Sequence, residues 1–173
     1  MVNGWSGTSI AAMTTAARVL EILERRGATL ATAESLTGGR VAAALTAVPG
    51  SSASFVGGVV AYATAVKESV LGVPGGLIDE HGVVSSACAR AMASGVKALT
   101  GATYAVSTTG VAGPGEQDGI RAGTVYVGVA GPGAPTAVAL ELSGGRSAVQ
   151  EQATREALSA VAAILDMEET GLG

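Results

Sequence analysis

Short apolar runs, too brief to be helices, alternate along this chain with segments of helical periodicity. That alternation constrains the fold more than any other feature. Residues 16–26 place Val19, Leu20, Ile22 and Leu23 on one stripe against Arg18, Glu21, Glu24 and Arg25, and Gly27 stops the helix. Residues 29–33 then form a short buried strand, and 39–48 a helix closed by Pro49-Gly50. Residues 54–62, rich in Val with a Gly57-Gly58 pair, form a central strand, and 64–71 turn helical. A loop at Pro74-Gly75-Gly76 and a turn at 79–82 lead to a helix capped by Ser85 or Ser86 and running to Leu99. Strands follow at 103–108 and 123–130, separated by a glycine-rich loop over 110–115. Residues 136–142 alternate as a more exposed strand, and 147–165 make a closing helix. Interleaved helices and strands predict an α/β fold, a three-layer α-β-α sandwich around a largely parallel or mixed central sheet. One domain is expected over 13–168, with residues 1–12 and 169–173 as flexible termini.

Composition sharpens this picture. Hydrophobic residues are 48% of the 173 but aromatics only 3%, so the core must be Ala, Val, Leu and Ile in layers that sit close together. The 26 glycines fall between apolar runs, as turns and close backbone approaches do. A net charge of -4 without a basic run leaves no electrostatic footprint for nucleic acid. One cysteine makes no internal disulfide, no leader is evident, and no apolar stretch reaches ~18 residues. A soluble, cytoplasmic protein without membrane contact is expected.

The stretch Thr32-Ala33-Glu34-Ser35-Leu36-Thr37-Gly38-Gly39 sets a hydroxyl between a strand and a glycine-opened helix. There Ser35 is either the cap of the helix beginning near Thr37 or a nucleophile whose oxyanion the free amides receive. With one histidine, one cysteine and two lysines, the base for such a serine is sought in Lys67. Lys67 lies among Ala63, Ala65, Val66 and Val70, where desolvation would lower its pKa; equally, it pairs with Glu68 or Glu34 on the surface. Tyr62 closes a strand and either relays a proton, orients the serine or simply packs. Ser35, Tyr62 and Thr109 each stand just beyond an expected strand, where ligands of such sheets collect. Ser94-Gly95-Val96-Lys97 has S-x-x-K spacing, but it lies in the second half of a helix without companion K-T-G or S-D-N elements. The loop from Gly110 to Gly115 is a turn or a cradle for phosphate or ribose, and Arg146 a solvated charge or a phosphate clamp. His81 reads as a turn residue and Cys88 as a buried small hydrophobe. No His/Cys/Asp cluster has metal-ligand spacing, so neither metal nor cofactor is expected.

Five ordered blocks, TAESLTGG, PGSSASFVGGVVAYATAVK, GVVSSACARAMASG, TTGVAGPG with GTVYVGVA, and the late SGGR, resemble the CinA C-terminal domain family over residues ~16–165. Characterised members are nicotinamide-nucleotide amidases, which release ammonia from nicotinamide mononucleotide (NMN). The resemblance implies that activity here, with Ser35 as nucleophile and Tyr62 and Lys67 completing the catalytic set. It further implies a small-molecule nucleotide substrate, a stand-alone amidase form and a homodimer or higher homo-oligomer. Gly38 is expected near the oxyanion, and Gly50, Ser51, Ser52, Thr109, Gly110 and Arg146 at ribose and phosphate. Where the family has Tyr-Ser-Asn, this chain has Tyr62-Ala63-Thr64, and the family's Asp-Gly-Gly and Lys-Pro loop is replaced over residues 115–122, which bears on substrate fit. The alternatives are a non-catalytic nucleotide-binding or regulatory module, and an amidase for another small carboxamide.

Overall fold

The computed structural model describes residues 10–171, with side chains from Thr14 onward. In chain order the elements are α1 (Ile10–Arg25), β1 (Leu30–Glu34), α2 (Arg40–Thr46), a 3-10 turn (Ser51–Ala53), β2 (Phe55–Val60), α3 (Thr64–Ser69) and α4 (Gly75–His81). There follow α5 (Ser86–Thr100), β3 (Tyr104–Gly110), β4 (Thr124–Ala130), β5 (Thr136–Glu141) and α6 (Arg146–Glu169). The sheet is mixed, in the order β2-β1-β3-β4-β5. β1 runs parallel to β2 and β3, while β3, β4 and β5 pair antiparallel.

Side chains on successive strand residues point to opposite faces, so β1 and β3 each contribute to two cores. Leu30, Tyr104, Val106, Val127 and Val129 meet Val19, Leu23, Leu45, Leu158 and Leu165 of α1, α2 and α6. Ala31, Ala33 and Ala105 meet Cys88, Met92 and Val96 of α5, with Val66, Leu77 and Ile78 of α3 and α4 packed alongside. Apart from Tyr104 and the partly buried Phe55 neither core holds an aromatic ring, and the second is lined with alanine on the sheet side, so α5 comes close. A methyl at Gly128 would lie 2.3 Å from the Ala89 carbonyl oxygen of α5.

Three local expectations change. The helical stripe does not begin at residue 16: α1 starts at Ile10, because alanines at 11, 12, 16 and 17 favour continued helix. Residues 10–12, expected in the flexible terminus, are thus helical, while 1–9 lie outside the described residues. The loop at 74–76 and the turn at 79–82 are instead α4; Pro74, which has no N–H to lose, accepts from the Leu77 and Ile78 amides. Finally, α6 continues through Glu169 because its last turns are tied to α1 and β3. Arg18 donates to Asp166 at 2.8 Å, and Glu168 accepts from Arg26 at 2.9 Å and from the Tyr104 hydroxyl at 2.5 Å. The tail expected from 169 therefore starts later, with 172–173 outside the described residues.

Candidate active site

Parallel strands finish at one edge of a sheet, so β1, β2 and β3 deliver Ser35, Tyr62 and Thr109 to the same side. β5 is antiparallel to β4 and so ends on that edge too, which brings Arg146 at the start of α6. These residues line one cavity of about 340 Å³, together with Leu36, Lys67, Gly110, Gly113, Glu116 and Gln117.

Within it the Lys67 amine donates to Ser35 Oγ at 3.0 Å, to the Ala61 carbonyl at 2.7 Å and to the Tyr62 carbonyl at 3.4 Å. The Ala61 carbonyl is fixed because its own amide donates to Glu34 O at 2.8 Å, one step past the β1–β2 ladder. Lys67 is 2% exposed and forms no ion pair among the described residues, so surface pairing with Glu68 or Glu34 does not occur. Burial pulls its pKa below the ordinary lysine value, and the nearby Cys88 thiol opposes that shift. Its three hydrogen-bond partners, two backbone carbonyls and the serine hydroxyl, are all neutral, so no opposite charge offsets the cost of burying a charged amine.

Ser35 does not cap α2, whose cap position is Gly39 without a side-chain bond. That work falls to Glu34, which is 1% exposed and accepts from the amides of Gly39 (3.0 Å), Val41 (3.0 Å) and Ala42 (2.8 Å) and from the Thr37 hydroxyl (2.7 Å). Because Thr37 spends its proton on Glu34, it accepts from the Thr108 hydroxyl at 2.7 Å. On the other side Gln150 of α6, 8% exposed, donates to the Leu36 carbonyl at 2.8 Å. The turn carrying Ser35 is thus held from both sides. Neither Glu34 nor Gln150 was singled out for this role from sequence, although Glu34 stands inside the TAESLTGG block.

Other expected residues fare differently. The Gly38 amide donates to Ser35 O at 3.1 Å and the Ser35 amide to Thr108 O at 3.0 Å, so both are occupied; Gly38, at φ +59, shapes the turn instead. Gly50, Ser51 and Ser52 precede β2 and therefore lie at the opposite edge of the sheet, where Gly50 and Ser51 line a separate cavity against α1. Thr109 and Gly110 are inside β3, not beyond it; the Thr109 hydroxyl faces the cavity wall and donates to Val83 O at 2.6 Å. The Tyr62 hydroxyl makes no hydrogen bond to Ser35 or Lys67: it accepts from Arg146 Nη2 at 2.7 Å, while Arg146 Nη1 donates to Gly113 O at 2.7 Å. Lys97 of the S-x-x-K match donates to Gly131 O, and it lines a different cavity. Among the described residues no group of three or more His, Cys, Asp and Glu could hold a metal, and no helix is long and apolar enough to cross a membrane.

Comparison with known proteins agrees on one family. The CinA C-terminal domain model matches residues 12–165. A CinA-like protein of Frankia casuarinae is 50% identical over 147 residues, covering 85% of this chain and 34% of that protein. A CinA-like protein of Anaeromyxobacter sp. strain K is 50% identical over 142 residues, covering 82% and 35%. This chain therefore spans about a third of the length of these curated relatives. Among solved structures, a CinA superfamily protein of Klebsiella pneumoniae superposes with a TM-score of 0.86 at 37% identity, covering 90% of this chain and 98% of the other. A competence/damage inducible protein of Agrobacterium tumefaciens gives 0.87 at 31% identity, covering 92% and 98%.

Proposed function

The chain belongs to the CinA C-terminal domain family, and on that premise we propose that it is an amide hydrolase converting NMN to nicotinate mononucleotide and ammonia. The observation that carries this reading is the buried Lys67 amine, without a carboxylate partner among the described residues, 3.0 Å from Ser35 Oγ. In the proposed reaction neutral Lys67 takes the serine proton as Ser35 Oγ attacks the carboxamide carbon. The tetrahedral intermediate collapses, its C–N bond breaks, and the collected proton leaves on the nitrogen as ammonia departs. Water then adds to the acyl-enzyme and releases the acid and the free serine. The amide of Leu36, which lines the cavity and has no acceptor among the described residues, is our candidate for the oxyanion, in place of Gly38. Arg146, a cation at the cavity without a carboxylate partner among the described residues, suits the substrate phosphate.

Ammonia release from NMN tests the reading. Ser35→Ala is expected to lower turnover by about three orders of magnitude or more, and equal rates for variant and wild type would refute the serine mechanism. A panel of other small carboxamides in the same assay identifies the substrate if NMN is not the preferred one.

A further inference from the structure

We propose that the Arg146–Tyr62 hydrogen bond is a latch that an anionic group on the substrate opens, so that the anion both docks the substrate and releases the tyrosine to the reacting pair. The inference rests on the amidase reading above.

Arg146 sits where α6 begins and reaches in two directions, to the Tyr62 hydroxyl after β2 and to the Gly113 carbonyl in the β3–β4 connection. It thereby ties the segment after β2 to the β3–β4 connection along the cavity lining. Both acceptors are neutral, although a guanidinium bonds an anion, bidentately and with charge assistance, far more strongly than a phenol or an amide. An incoming phosphate therefore outcompetes Tyr62 for the arginine. Arginine only donates, so the phenol acts as acceptor in the latch, and Arg146 is its one protein partner among the described residues. Once released, the ring is free to turn. It pivots at a residue whose own carbonyl already accepts from the Lys67 amine, and it lines the same cavity as Ser35. There the phenol carries the proton gathered by Lys67 to the departing nitrogen: its O–H goes to the leaving amine, and the lysine N–H replaces it. A substrate without an anion would leave Tyr62 latched and react slowly.

The test compares nicotinamide riboside, which lacks the phosphate, with and without inorganic phosphate. In wild type, inorganic phosphate should raise ammonia release from the riboside on the order of 10-fold, a modest share of what acid–base assistance contributes. Arg146→Ala should already hydrolyse the riboside faster than wild type by a similar factor, and phosphate should then add nothing. Tyr62→Phe should be slow with or without phosphate. Fluorotyrosine-labelled protein gives a readout independent of substrate: the Tyr62 resonance, identified by its loss in Tyr62→Phe, should move on adding inorganic phosphate to wild type and stay still in Arg146→Ala. If Arg146→Ala leaves the riboside rate unchanged or lower while NMN is hydrolysed normally by wild type, the latch is wrong and the amidase reading stands. A Tyr62 resonance indifferent to phosphate also overturns the latch. If the resonance moves but wild type releases no ammonia from NMN, the latch survives and the proposed reaction does not.

Discussion

Lys67 is one of two lysines, and its neighbours Ala63, Ala65, Val66 and Val70 hinted at burial. What they could not convey is that its amine would reach two backbone carbonyls and Ser35 Oγ at once. In the proposed mechanism the base is the neutral amine, so activity should fall as pH drops through its lowered pKa, whereas Lys67→Ala should be inactive throughout; a wild-type profile that does not fall on acidification would contradict this role. At the opposite extreme of chemistry, Gly58 pairs with Thr32 across β1 and β2. A methyl there would meet the Thr32 hydroxyl at 2.0 Å and its carbonyl oxygen at 2.8 Å. Urea unfolding should show Gly58→Ala destabilised by about 1–3 kcal/mol. Adding Thr32→Ala should recover only part, since the carbonyl contact remains.

Elements were legible where period and caps agreed. Ser85 accepts from the Cys88 amide at 3.1 Å and donates to Gly82 O at 2.9 Å, so α5 begins where its cap predicts. Ser85→Ala should cost about 1 kcal/mol in thermal or urea unfolding, and no change would mean that the cap contributes nothing. The start of α2 is close to the expected residue 39, but its cap is not Ser35, for a physical reason. A serine a few residues before Gly38-Gly39 looks like a side-chain cap, but the cap is a carboxylate on the preceding strand, reaching forward five to eight residues to the amides. Windows of local pattern do not register a strand residue capping the next helix. The β3 end was placed two residues early because Thr109 and Gly110 resemble loop, yet antiparallel pairing with Tyr126 and Val125 extends the ladder through both.

At the scale of the whole molecule, Lys67 links folding to pH. In the native state its pKa is lowered, so between that value and the ordinary ~10.4 the unfolded chain binds more protons and stability rises with pH. Denaturant unfolding of wild type and Lys67→Met across this window should show wild type gaining on the variant as pH rises; a constant difference would mean that the amine is not desolvated. Topology decides which candidates meet. Parallel β1, β2 and β3 send Ser35, Tyr62 and Thr109 to one edge, while the same parallel pairing sends Gly50, Ser51 and Ser52 to the other. By itself the sequence determined the α/β class, the aliphatic character of the core and the choice of Ser35 and Lys67 as the pair to examine, because periodicity, composition and residue scarcity are properties of the chain in order. Only the tertiary structure decided that Glu34 and Gln150 clamp the turn carrying Ser35, that Arg146 holds Tyr62, and that the glycine-serine turn stands apart, because each depends on which strand end faces which across the sheet.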